Sequence, residues 1–584
     1  MVTAALIAVT GFALPSSLAD SASAAAKRAK PITISLSTDK AVYKPGESVK
    51  VNIQVNNLLK KDSKTASIVV FNLADSVSKA TVKLTAKGAG TYTWQAPSQD
   101  FQGYLLTVTA VKVPAAIGID VSSDWNAYPR YGFLSEFGKM TKADQAAIID
   151  DLTRFHINAL QFYDWQDAHN APLPSNNGKV ADTWNDIAGR PTALATVQNY
   201  ISLAHAKGMK AMNYNLINGS YDPTQAPDVQ PEWGLYTDIR HKFKDLYPLP
   251  NTWESNLYLQ NPANTGWQDY LIQQEADVQD ALPFDGWHID QLGNRGLLYD
   301  YTGKSVSYVD GYASFLKAAK RDLDYDLVMN AVDGFAQKQI LGSGAVKVAY
   351  TEAWDNGKTF TQLKAMIDNN YALSSGKLSS VLAAYMNYDK SKDSGATFNA
   401  NSVLLADAFI FATGASHIEL GEHMLANEYF PNKNVAMSPE LKAKLVAYYD
   451  FAVAYQKLLT RTSADLTDTA MYISASSDFY EVPKAGTLFA FNKLTGNHLV
   501  TQVVNLTGAT SNEWRDNAGN FRAPKLQKNV LITLHTDKTV KSAWIASPDG
   551  PSIAPVKVDF IQAGNTVKVN IPSMTFWAMA VLDF

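Results

Sequence analysis

The 584-residue sequence contains no cysteine. Disulfides, CxxC zinc sites and thiol nucleophiles are excluded together, although export is not, since a large core can stand in for cross-links. An excess of either charge is also lacking: 51 Lys and Arg against 55 Asp and Glu leave a formal net charge of -4, with no electrostatic footprint for nucleic acid. No segment after the N-terminal region reaches the ~18 uncharged apolar residues of a membrane span. No G-x-G-x-x-G follows the first strand of the central region, which argues against a dinucleotide-binding sheet. Internal repeats and low-complexity tracts are absent beyond the extreme N-terminus. The expected product is a soluble monomer with neither nucleic-acid nor membrane partners.

What is present is core-forming material and aromatic rings. Hydrophobic residues make up 46% and charged residues 18% of the chain, enough to bury a large core. Its length implies two to four domains. The 12 Trp, 28 Tyr and 24 Phe serve core packing in any protein, and also suit stacking against pyranose faces. Residues 1–30 hold an apolar run followed by SASAAA, the pattern of a secretory signal cleaved near residue 25. No Lys or Arg precedes the run, so the true start of that signal is expected further upstream.

Residues 31–115 alternate apolar and polar positions between turns, as in ITISLS, VKVNIQVNN and ASIVVFNL around a KPGE turn. The expectation is an immunoglobulin-like β-sandwich. From 116 to 462, short apolar runs alternate with segments of helical period. Eight strand candidates lie at 118–124, 157–164, 210–216, 286–291, 326–333, 348–355, 380–386 and 412–420. That rhythm predicts a (β/α)8 TIM barrel. Residues 463–584 return to period two and predict a C-terminal antiparallel β-sandwich. The fold class is thus multidomain: a central barrel flanked by two β-sandwiches.

In such a barrel, reactive side chains sit at the C-terminal ends of the strands. In GWHIDQ, His288 and Asp290 share one face while Trp287 and Ile289 share the other. Tyr350 and Glu352 pair in the same way in VAYTEAWD, and Asp164 ends the second strand. One acid at a strand end is as readily a cap or an ion pair as a catalyst. Three converging acids, without a metal or nucleotide motif, point to glycoside hydrolysis by paired carboxylates.

The segments GWHIDQLG, VAYTEAWD, FYDWQDAH and GASHIELGEHMLANEYFPN resemble those of glycoside hydrolase family 66. That family comprises endo-dextranases and cycloisomaltooligosaccharide glucanotransferases. The resemblance extends to YKPGESV and YTWQAPSQDFQGYLL in the first domain and covers nearly the whole chain. It implies a retaining endo-attack on α-1,6-linked glucan, with Asp290 as nucleophile and Glu352 as general acid/base. Asp164 would hold sugar hydroxyls at the cleavage subsite. The cyclising members carry a carbohydrate-binding module inserted late in the barrel. About 25 residues between Met386 and Ala412 cannot hold such a module, so a secreted dextranase is expected, acting on dextran and isomaltooligosaccharides. A cyclising glucanotransferase is the alternative. A non-catalytic glucan-binding protein and another retaining barrel glycosidase stand behind it.

Around the pair, His288 is a donor for ionised Asp290 or a satisfied core histidine. Tyr350 and Trp354 flank Glu352 and would desolvate it, raising its pKa. Asn330 and Asp333, near the end of strand five, are read as sugar contacts or turn residues. Trp125, Trp165 and Trp233 are read as stacking platforms or ordinary core. HIELGEH (417–423) lacks the H-E-x-x-H spacing of a helical metal site, so Glu422 is read as a substrate contact or loop residue. No metal and no cofactor is expected, and nothing indicates a structural calcium.

Overall fold

The structure, a computed structural model, describes residues 30–176, 178–460, 471–474, 479–480, 482–550 and 552–584. The expected signal segment, apart from Lys30, and the expected boundary at 462/463 lie outside the described residues.

The N-terminal unit consists of two antiparallel sheets. One orders Thr33–Thr38, Ser48–Asn56 and Ala89–Gln95; the other orders Asp75–Lys83, Thr65–Asn72, Gln102–Ala110 and Val113–Val121. Period-two alternation directs Val49, Val51 and Ile53 from one sheet against Ile68, Val70, Leu106, Ile117 and Ile119 from the other. The segment expected as the first strand of the central unit therefore belongs here. Residues 118–121 pair antiparallel with 102–105 and bury their apolar side chains in this core. The boundary expected at 115/116 falls inside that strand.

The central unit is built on parallel strands in chain order: β1 (Tyr131–Leu134), β2 (Ala159–Phe162), β3 (Lys210–Leu216), β4 (Gly286–Asp290), β5 (Asp326–Met329), β6 (Ala349–Glu352), β7 (Ser380–Ala383) and β8 (Ala415–Ile418). Strands β1 to β5 form one sheet. Ala331–Val332, just beyond β5, opens a second with β6, β7 and β8. The two sheets meet where Lys347 N–H donates to Leu327 O (2.8 Å) and where Phe133 N–H donates to Leu420 O (3.1 Å). β1 was not legible because YGFL is buried at every position and shows no alternation. β8 begins three residues later than expected, because Ala412 and Thr413 end a helix capped by Gly414 at φ 92°.

A helix follows each strand: α1 (Lys142–Arg154), α2 (Leu194–Ala206), α3 (Thr265–Ala281), α4 (Tyr308–Asp322), α5 (Gln337–Gly342), α6 (Phe360–Leu373), α7 (Ala400–Thr413) and α8 (Pro439–Ala454). Side-chain caps fix several starts; Thr359 and Gln362 form a reciprocal capping box on α6. Trp287, Ile289, Leu327 and Leu382 pack with helix residues in the largest core. A separate cluster, including Tyr131, Phe133, Met212, Tyr350, Val381 and Ile418, comes from the opposite faces of the same strands.

The C-terminal unit packs a four-stranded sheet, centred on Gln527–His535 and Thr566–Met574, against a six-stranded sheet that includes Leu488–Thr495, His498–Asn505 and Trp577–Asp583. Both flanking units dock on the central one. Against the N-terminal sheet, Asp450 of α8 accepts Gly118 N–H (2.9 Å) while also pairing with Arg154 and His156. Among the described residues no helix is long and apolar enough to cross a membrane.

Candidate active site

At the C-terminal ends of the strands lies an open cavity of about 350 Å³. Asp290, the last residue of β4, projects into it because His288 and Asp290 alternate with the buried Trp287 and Ile289. Three donors hold its carboxylate: Tyr214 Oη at 2.7 Å, Asn330 Nδ2 at 2.9 Å and Gln291 N–H at 2.8 Å. Burial raises its pKa, and these three hydrogen bonds oppose the rise.

Glu352 ends β6 on the facing wall. It accepts from Tyr385 Oη (2.7 Å) and from Asn330 Nδ2 (3.1 Å). Burial, followed by the neighbouring charge of Asp290, pushes its carboxyl up to about 7. One amide nitrogen therefore bridges the two carboxylates. Both bonded oxygens accept from the same nitrogen, at 2.9 and 3.1 Å, so they lie at most about 6 Å apart. Asn330 reaches both because it occupies the break between Met329, paired with β4, and Ala331, paired with β6. Its own Oδ1 is buried without a partner, as is Gln161 Oε1 on β2. Both residues line the cavity.

Asp164 also lines the cavity, two residues beyond β2 and in the left-handed region at φ 50°. Burial is the main cause that pushes it up to about 7, with Arg190 opposing. His288 lies deeper. Its ring stacks on Tyr131 and Tyr214, its Nδ1 meets Tyr131 Oη at 3.1 Å, and burial lowers its pKa to about 3. It is a neutral floor residue, and the donors to Asp290 are others. Tyr350 packs edge-on to His288, and Trp354 leans on Tyr385, so both help to dry the Glu352 side.

Several candidates lie elsewhere. Trp125 is buried against Tyr131 and donates to Asp326; Trp165 is buried and donates to Asn213; Trp233 packs on Trp267 and Tyr270. None lines the cavity. Glu422 accepts the backbone N–H groups of Ser135 and Glu136 instead of facing the cavity. Asp333 accepts from Trp354 N–H and Asn356 N–H, the turn role. HIELGEH is split: His417 and Glu419 face the helix side, bonded to Asp407 and Tyr449, and His423 bonds Phe430 O.

Sequence reasoning missed Tyr214 and Tyr385, although alternation in KAMNYNL and SVLAAYM places both on the inward face. It also missed Tyr163, Trp253 and Tyr429, aromatic lining residues that lie outside β1–β8.

The model of glycosyl hydrolase family 66 matches residues 38–581. The chain belongs to that family. A cycloisomaltooligosaccharide glucanotransferase of Niallia circulans is 29% identical over 93% of this chain and 71% of its own length. A dextranase of Streptococcus salivarius is 24% identical over 82% of this chain and 67% of its own. A crystal structure of a Paenibacillus sp. cycloisomaltooligosaccharide glucanotransferase complexed with cycloisomaltoheptaose superposes with a TM-score of 0.88 at 27% identity, covering 94% of this chain and 99% of that one. Membership of family 66 makes this chain a glycoside hydrolase-type enzyme acting on glucan. The bridged pair Asp290 and Glu352 is its strongest candidate for the reacting carboxylates.

Proposed function

We propose that the parallel strands close into one (β/α)8 barrel and that the chain is an endo-acting dextranase, cleaving α-1,6-glucosidic bonds with retention. The observation that carries the mechanism is the Asn330 bridge. Retaining glycosidases hold their carboxyl groups roughly 5–5.5 Å apart, and inverting ones leave roughly 6.5–9.5 Å for a water. Two oxygens that share one donor nitrogen lie within about 6 Å of each other, short of the inverting range, which favours retention.

In the first displacement a carboxylate oxygen of Asp290 bonds to the anomeric carbon. The bond to the glycosidic oxygen breaks, and that oxygen takes the proton of Glu352. The leaving chain departs with a free hydroxyl, and a covalent glucosyl-enzyme remains. Glu352, now ionised, takes a proton from water as the water oxygen displaces Asp290. Tyr214, Asn330 and Gln291 N–H stabilise Asp290 as an anion before attack and after release. Asp164, which lines the cavity, suits sugar hydroxyls. Trp253 and Tyr429, which line the cavity, offer aromatic surface.

Between β7 and β8 the chain spends its residues on a short 3-10 turn and α7, with no additional β-module. The alignment with the Niallia glucanotransferase runs over 699 positions, so more than a hundred of that relative's residues have no counterpart here. Both observations support hydrolysis over cyclisation. The glucanotransferase relatives keep cyclisation as the second reading. A time course of dextran digestion, resolved by chromatography, separates the two. Linear isomaltooligosaccharides with an early fall in viscosity are expected; mainly cyclic products would overturn the dextranase reading. The N-terminal apolar run supports export, and sequencing the protein recovered from culture medium should find a mature start near residue 25.

A further inference from the structure

The C-terminal unit sends residues 506–526 out of its six-stranded sheet and under the loops that follow β6 and β7. The segment is bonded along its length. Phe360 N–H donates to Asn512 O (2.9 Å), Asn387 N–H to Arg515 O (3.0 Å) and Asp389 N–H to Asn517 O (3.1 Å). Trp514 Nε1 donates to Gly357 O, and Asn387 Nδ2 donates to Asp516 O (2.8 Å). The Asp516 carboxylate accepts the N–H groups of Asn520 and Phe521, which fixes the turn that presents Arg515.

Arg515 is the one residue of this segment aimed at the catalytic wall. Its guanidinium carbon lies 4.7 Å from the Trp354 ring centroid, 5.6 Å from Tyr388 and 6.0 Å from Tyr385. Those distances are within the range of cation–π attraction. Its Nη2 also donates to the carbonyl of Ala353, the residue between Glu352 and Trp354. Among the described residues it forms no ion pair with a carboxylate, and it does not line the cavity. A half-buried cation ordinarily has an acidic partner. Here aromatic rings and one carbonyl make the direct contacts, the charges of Glu352 and Glu428 act on it without a direct ion pair, and Tyr385 among the rings donates directly to Glu352.

We propose that Arg515 is a positioning residue lent by the C-terminal unit, clamping Trp354, Tyr385 and the backbone after Glu352 so that the acid/base and its aromatic wall hold one geometry. The C-terminal unit is then part of the catalytic apparatus, not an appended module. This rests on the assignment of Glu352 as acid/base. Arg suits the place because its planar fork can stack and donate at once, which an ammonium cannot reproduce.

The test is leaving-group dependence. An aryl isomaltotrioside with a nitrophenolate leaving group needs no proton in the first displacement, whereas dextran does. In Arg515→Gln, kcat/KM on dextran is expected to fall roughly 10- to 100-fold, as displaced catalytic groups do, while kcat/KM on the aryl glycoside falls less than about threefold. Arg515→Lys keeps the charge and should recover part of the dextran loss. Equal losses on both substrates with a lowered melting temperature would reduce Arg515 to a structural contact. Unchanged activity on both would remove it altogether. Any glucan that the wild type cleaves can replace dextran. A wild type inactive on dextran therefore rejects the substrate reading and leaves the Arg515 test standing.

Discussion

At the scale of single residues, environment sets apart two carboxylates of similar intrinsic acidity. Asp290 is held by Tyr214, Asn330 and a backbone N–H, and Glu352 by the side chains of Tyr385, Asn330 and Trp354. Burial and the charge of Asp290 leave Glu352 near 7. Under the proposed roles the acid form is required for the first displacement, so kcat/KM on dextran should fall as pH rises through about 7. On an aryl glycoside that needs no proton this alkaline limb should be absent. In Glu352→Gln, activity on dextran should drop by about 10²–10⁴, the usual worth of a general acid. A limb that persists unchanged in Glu352→Gln would assign it to another group. Asp290, Glu352 and Asp164 were legible as polar ends of apolar strands. The tryptophans were not: Trp125, Trp165 and Trp233 are buried or packed on other rings, because an indole at a loop position satisfies a core as readily as a sugar.

At the scale of elements, the spacing between strands carries the site. Gly286 opens β4, and a Cβ there would meet Asp326 O at 2.2 Å and Met212 Cε at 2.4 Å. The backbone oxygen has little room to yield. Gly286→Ala should therefore force β4 and β5 apart, at a cost of about 1–3 kcal/mol for overpacking. Asp290 and Asn330 each lie four residues along from that contact, so activity should fall along with the denaturation midpoint. A variant with lowered stability and unchanged kcat would show that the strain dissipates before it reaches the site. Alternation in WHID and AYTE was readable because one face packs against helices and the other bears polar groups. β1 was unreadable because both of its faces are buried, which erases the period-two signal.

Across the whole molecule, buried titratable groups make stability depend on pH in a definite direction. Glu352 and Asp164 are pushed to about 7 and Glu275 to about 8, mainly by burial. Each contributes stability that is present below its ordinary pKa and lost as pH rises through the raised one. His288 and His169 are pushed down to about 3 and about 4 by burial and act oppositely, losing stability as pH falls below their ordinary 6.5. The opposing effects overlap between pH 4.5 and 6.5; above 6.5 the carboxyls act alone. With Glu419 and Glu422 also raised, to about 8 and about 7, the acids outnumber the histidines, so the melting midpoint should fall slowly through mildly acidic pH and more steeply between pH 6.5 and 8. A rise over that interval would contradict the buried-acid assignment. Glu352→Gln should flatten part of the decline.

The sequence by itself determined the strand–helix rhythm and the acids that end β4 and β6, since each is written in local periodicity and short-range pattern. Only tertiary structure decided what those acids touch. Tyr214, Asn330 and Tyr385 come from three different strands or their ends, and Arg515 arrives from a unit more than 160 residues downstream of Glu352. Contacts of that separation leave no local period to read. They arise only when the two sheets meet and the C-terminal segment docks beneath their loops.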